Sequence, residues 1–160
     1  MVAFDVGARR TGVAVSDATA TLARPHGCLT GGNAVAAAVA LVRELQAEEA
    51  SASASDVVVV VGLPRRLDGT DTDGTARARE FARALERRLG APVVFQDERL
   101  SSVEAESRLA VLERDWRRRK AKLDAAAAAV ILQDYLDQRA RRGAAAPPFD
   151  DDPVGADAHE

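Results

Sequence analysis

Three carboxylates in this chain stand where a carboxylate is costly or conspicuous. Asp5 interrupts an apolar run, Val2-Ala3-Phe4-Asp5-Val6, that otherwise has the composition of a buried strand. Glu98 follows Asp97 at the end of a second run, PVVFQDE, and Asp124 opens the alanine-rich stretch KLDAAAAAVILQDYLDQR. A buried carboxylate without a partner costs several kcal/mol or is forced to keep its proton. Acids gathered from distant segments repel one another, and divalent cations make such a cluster tolerable. Two ions roughly 3.5–4 Å apart could activate a water and stabilise the leaving oxygen of a phosphodiester. The same residues have plainer uses. Asp5 could pair with a buried Arg9 or Arg99, Glu98 with Arg99 or another base, and Asp124 would be a favourable charge at the start of a helix. Strand alternation turns Asp97 and Glu98 to opposite faces, so only one of them can share a site, and periodicity leaves open which.

Composition narrows the metal. The 160 residues include one cysteine, Cys28, and two histidines, His26 and His159. That excludes an internal disulfide, a cysteine zinc site and an all-histidine cage. Any protein ligands are then carboxylates, which favour hard ions such as Mg²⁺ or Mn²⁺. Catalysis is expected to need no histidine, leaving water activation to the metals.

The net charge is −3, but it is unevenly placed. Residues 150–160 hold five acids and no Lys or Arg, so the rest of the chain sets 22 Lys and Arg against 20 acids. Local clusters matter more than the total. Arg9 and Arg10 lie a few residues from Asp5 and could contact a phosphate beside the scissile one. In GLPRRLDGT, Arg65, Arg66 and Thr70 could grip backbone phosphate, with Pro64 and Gly69 forming the turn. Residues 114–120, RDWRRRK, are expected to be a mobile loop in which Arg117, Arg118, Arg119 and Lys120 track phosphates and Trp116 stacks on a base. Lys122 could approach a reacting phosphate. Each basic group could equally be a solvated face.

The elements that would carry these residues follow from patterning. Strands are expected over 2–7, 11–16 and roughly 20–30, joined by short turns as an antiparallel meander. A helix over 34–46 turns Val35, Val39, Val42 and Leu45 inward. After the small-residue linker EEASASASD, the unalternating run VVVVVG reads as a central strand covered on both faces. A helix over 76–89 buries Ala78, Phe81, Leu85 and Leu89, and PVVFQDE is a fifth strand. A third helix opens at Ser101, with Glu104 completing a capping box. The alanine-rich stretch forms the last helix, with Asp124 in its first turn. The order βββαβαβαα, with right-handed crossovers, gives an α/β fold. Its mixed five-stranded sheet has three antiparallel strands, then two parallel, and helices on both faces. This is the ribonuclease H-like layout. Residues 1–139 are expected to form the folded domain and 140–160 a disordered acidic tail. No run reaches the ~20 apolar residues of a membrane span, and the start lacks the pattern of a signal peptide, so a cytoplasmic location is expected.

Four motifs, AFDVGARRTGVAVSD, VVVVVGLPRRLDGT, FQDERLSSVEAE and KLDAAAAAVILQDYLD, occur in an order that together resembles the YqgF/RuvX family. Its members are described as pre-16S rRNA nucleases and as Holliday junction resolvases. The resemblance spans residues 2–137 and implies a ribonuclease H-like fold with metal-dependent cleavage of nucleic acid. It places the family's three acids on Asp5, Glu98 and Asp124. Ser101-Ser102 stand where the family often has threonine, and the acidic tail lies outside the pattern.

The expected function is a metal-dependent endonuclease acting on structured nucleic acid, through 5′-end processing of precursor 16S ribosomal RNA. Alternatives are resolution of four-way DNA junctions, which needs a two-fold dimer presenting two sites, and a nucleic-acid-binding module without catalysis. A phosphotransferase of the actin and sugar-kinase type, which DVGARRTGVAV also resembles, needs a second phosphate loop that the chain lacks. The partners implied are precursor rRNA or branched DNA, bound by a monomer or homodimer, with no membrane.

Overall fold

The computed structural model describes residues 1–50, 57–98 and 115–144. Among them are β1 (Val2–Val6), β2 (Arg10–Ser16), β3 (Ala23–Thr30), α1 (Ala34–Ala50), β4 (Val59–Leu63), α2 (Asp73–Leu89), β5 (Val93–Asp97) and α3 (Trp116–Ala144). The strands form one sheet in the order β3-β2-β1-β4-β5. β1, β2 and β3 make the antiparallel meander, while β4 pairs parallel to β1 and β5 parallel to β4. The mixed sheet with helices on both faces is the ribonuclease H-like arrangement, and Asp5 lies on its central strand.

The turn from β1 to β2 is tight because Gly7 donates its N–H to the Arg10 carbonyl at 2.8 Å. A Cβ at Gly7 would sit 2.7 Å from that same oxygen, so only glycine closes the turn without a shift.

The two faces of the sheet are filled differently. On one, Val2, Phe4, Val6, Val13, Val59 and Val61 meet Val39 and Val42 of α1 and Ala78, Phe81 and Leu85 of α2. The Phe4 and Phe81 rings meet at 5.6 Å, tilted by 60°. Full burial of each such side chain contributes about 1.5–3 kcal/mol. On the other face, Ala3, Ala14 and Val60 meet Ala128, Ile131, Leu132 and Leu136 of α3. Short side chains on both sides let α3 lie close to the strands.

α2 is anchored at both ends. The Thr72 hydroxyl accepts from the Thr75 N–H, and the Thr75 hydroxyl accepts from the Thr72 N–H at 2.8 Å and donates to the Pro64 carbonyl. Gly90 ends the helix at φ 65°, the left-handed cap that glycine adopts freely. This ties the GLPRRLDGT segment to the helix that follows it.

Several expectations need correction. Residues 116–120 are not a loop but the first turns of α3. Arginine and lysine are good helix formers, and their helical preference outweighs the appearance of a solvated charge run. Asp124 therefore sits eight residues inside the helix, not in its first turn, and favourable charge at a helix start does not account for it. The last helix continues to Ala144, so residues 140–144 are helical rather than tail. α1 runs on to Ala50 and α2 starts at Asp73, each beyond its expected bound. The helix and capping box expected from Ser101, and the tail beyond residue 144, lie outside the described residues. No described helix is long and apolar enough to cross a membrane.

Candidate active site

Asp5 projects from β1 on the α3 side, between two glycines. Its partner across the β1–β2 ladder is Gly12, and Gly62 of β4 stands at the same level on the other side, one residue beyond the Phe4–Val61 pair. Both glycines make room for something specific. A Cβ at Gly12 would lie 1.9 Å from the Asp124 carbonyl oxygen, so α3 can pass there only over bare backbone. A Cβ at Gly62 would lie 1.9 Å from Glu98 Oε1 and 2.6 Å from Ile131 Cδ1, so that space belongs to the Glu98 carboxylate.

Glu98 follows β5 directly, and its N–H donates to the Leu63 carbonyl at 3.3 Å, extending the ladder by one residue. That bond holds its side chain over Gly62 and toward Asp5. Glu98, rather than Asp97, is therefore the acid at this position.

The electrostatics reflect crowding. Burial, then the charge of Asp124, pushes the Asp5 carboxyl up to about 6. Burial, then Asp5, then Asp97, pushes Glu98 up to about 8. Burial also raises Asp124, against the opposing pull of Arg10 and Lys120. Asp5 thus interacts with both other acids. No cation forms an ion pair with it among the described residues, so pairing with Arg9 does not account for its burial, and Arg99 lies outside the described residues.

Asp124 faces two further groups. Arg10 Nε lies 3.2 Å from its Oδ2, and the Cys28 thiol donates to the same oxygen at 3.8 Å. Among the described residues no three acids, cysteines or histidines are drawn tightly enough together to cage an ion as they stand. The donor set nevertheless fits a hard divalent cation. It is all carboxylate oxygen, its members carry like charges felt mutually through Asp5, and Gly62 keeps clear the space that one carboxylate fills.

The basic residues fall into distinct places. Arg9 is exposed on the β1–β2 turn, whereas Arg10 is held by Asp124 rather than free to meet phosphate. Arg65 pairs with Asp71 at 3.6 Å, and Asp71 also binds Arg79. Thr70 donates its hydroxyl to Asp68 at 2.6 Å, which with the Arg66–Thr70 backbone bond at 3.0 Å sets the loop's shape. Arg66 is exposed. At the start of α3, Trp116 is 63% exposed, with the Arg117 guanidinium 5.5 Å over its ring. Arg118 lies 3.9 Å from Asp115. Arg119 is half-buried, Lys122 is exposed, and Lys120 lies one helical turn before Asp124, close enough to lower its pKa.

Sequence reasoning missed Gly12, Gly62, the Cys28 contact and the pairing of Arg10. A signal existed for the glycines, since glycine inside a strand marks a close backbone approach.

A family described as "RuvX: Holliday junction resolvase" matches residues 1–138. A protein of Anaeromyxobacter sp. (strain K) named "Putative pre-16S rRNA nuclease" is 44% identical over 142 residues, covering 85% of this chain and 95% of its own. Proteins of the same name from Burkholderia lata and Thiobacillus denitrificans are each 40% identical, covering 86% and 87% of this chain and 89% and 92% of theirs.

Proposed function

The chain belongs to the RuvX family, whose members compared above are named as nucleases, and on that footing we propose that it is a metal-dependent endonuclease trimming the 5′ side of precursor 16S ribosomal RNA. The observation that carries the chemistry is Asp5 on the central strand, flanked by two glycines that admit the Asp124 backbone and the Glu98 carboxylate. A carboxylate triad on three separate elements has no evident structural use, because burial and mutual repulsion make it destabilising.

Asp5, Glu98 and Asp124 would hold the cations. Divalent ions held there would supply water activation and charge neutralisation at the leaving oxygen, chemistry that would leave a 5′-phosphate and a 3′-hydroxyl. Arg10 orients Asp124 through its ion pair and keeps a positive charge at the edge of the site. Lys120 adds a second from the preceding turn of α3. Trp116 and Arg117, exposed at the amino end of the same helix, would take a base and its phosphate, and Arg9 the strand crossing the β1–β2 turn. Arg66 lies on the loop following the parallel strand β4, outside the carboxyl end where such sheets bind ligands.

The test is incubation with RNA carrying the 5′ flank of precursor 16S rRNA, in Mg²⁺, Mn²⁺ or chelator, beside an Asp124→Asn control. Metal-dependent cutting that leaves a 5′-phosphate, lost in the variant, is expected. Cutting that survives the chelator overturns the metal reading. The family's description favours a second substrate, the four-way DNA junction. Symmetric nicks in a synthetic junction, made by a stable dimer that ignores the RNA, would favour it instead.

A further inference from the structure

On the opposite face of the sheet from the carboxylates, a cleft of about 300 Å³ opens at the carboxyl end of β1. Its walls are the β1–β2 turn, the amino end of α1 and one side of α2. The floor is apolar, formed by Val35, Phe81 and Ala84, and the rim is basic, with Arg9, Arg77 and Arg87 against the single acid Glu80. Arg77 is half-buried and forms no ion pair among the described residues. A guanidinium beside an apolar cleft with no carboxylate paired to it is open to bidentate contact with a phosphate. α1 opens at the same place with no acid in its first turn, so its free N–H groups add to the positive field.

We infer that this cleft binds one nucleotide of a single-stranded segment adjoining the cleavage site, its base on the apolar floor and its phosphate among Arg77, Arg87 and Arg9. The volume is at the small end of the range for ligand pockets, which is about 300–1,000 Å³, and suits a single nucleotide rather than a duplex. The location supports a strand over a diffusible ligand. The wall of the cleft is the turn that follows Asp5, so a chain passing over that turn reaches both faces within a few residues of β1. The inference rests on the nuclease reading and extends it, because it makes an unpaired extension part of what the protein recognises.

The experiment measures binding in chelator, so that it does not depend on cleavage. Fluorescence anisotropy compares an RNA hairpin bearing a single-stranded extension with the same hairpin blunt-ended, for the intact protein and for Arg77→Ala. The variant is expected to lose about tenfold in affinity for the extended hairpin and to reduce its salt slope by about 0.7, the value for one phosphate contact on a single strand. Affinity for the blunt hairpin stays the same. 4-Thiouridine in the extension should crosslink to peptides of α2 or of the β1–β2 turn. Equal weakening toward both hairpins, or crosslinks confined to α3, overturns the inference. Displacement of the extension by micromolar uridine monophosphate points to a free nucleotide and overturns the assignment to a strand. Extension-specific binding that persists in a protein shown not to cut any RNA would sink the nuclease reading while leaving this one standing.

Discussion

β1 sends Val2, Phe4 and Val6 to one face of the sheet and Ala3 and Asp5 to the other, and the two layers differ in the size of what they hold. Toward α1 and α2, large side chains interlock and no charge is buried beside β1. Toward α3, glycine and alanine keep the helix close: its backbone at Asp124 fills the space over Gly12, and the Glu98 carboxylate fills the space over Gly62. Large-chain packing contributes stability that a cluster of like charges takes away. The small-residue face can carry chemistry because the other face carries the fold. Changes on the two faces should therefore separate activity from stability.

The sharpest separation is expected from Asp5→Asn. Cleavage should fall on the order of a thousandfold, while the melting temperature in chelator at pH 8 holds or rises because a source of repulsion is gone. A variant that melts lower and still cuts would erase the distinction between the faces. On the other side, Leu85→Ala removes a fully buried side chain of α2 and should cost about 2–5 kcal/mol by denaturant titration. Cation affinity of the folded fraction, followed calorimetrically, should not move.

A further probe of the carboxylate face is the pH dependence of stability. Asp5 and Glu98 hold protons more tightly folded than unfolded, at about 6 and about 8. Their protonated forms favour folding below the ordinary carboxylate range, and that contribution is lost as pH rises through 6 and then 8. Without metal, stability should fall across this window by an amount on the order of a few kcal/mol. Saturating Mg²⁺ should flatten the slope, and a slope indifferent to Mg²⁺ would count against cation binding there. Gly12→Ala adds one carbon where only backbone fits and should cost about 1–3 kcal/mol, together with a loss of cleavage as α3 and Asp124 shift. The smallest effect belongs to Thr72→Ala, at the half-buried amino end of α2, at about 1 kcal/mol from the lost cap of that helix.

Much of the architecture could be read without coordinates, for reasons that lie in particular residues. The run Val57–Val61, with no polar interruption, has only a doubly covered strand as its solution, and the inward stripes of α1 and α2 fall where their spacing puts them. Asp5 was legible because an ionisable group in an apolar run contradicts its surroundings. What escaped were properties of approach rather than of type. Gly12 and Gly62 look like weak strand residues until the helix and the carboxylate that need their space are in place. Arg10 is legible as a cation, but its partner lies 114 positions along the chain. The start of α3 is ambiguous in sequence because its charge speaks for solvent while its backbone preference speaks for helix. The distinction between Asp97 and Glu98 depended on one extra backbone bond to Leu63 that no periodicity encodes.

Under the proposed function, the continuity of α3 would bear on where a substrate is cut. Trp116 and Asp124 belong to a single unbroken helix, so eight residues at 1.5 Å each set them roughly 12 Å apart along its axis. A strand advances about 3.4 Å per phosphate when stacked. A base resting on the indole would thus lie about three to four nucleotides from the acid, and the helix would act as a ruler. Its graduation changes only if residues are inserted or deleted between the two marks.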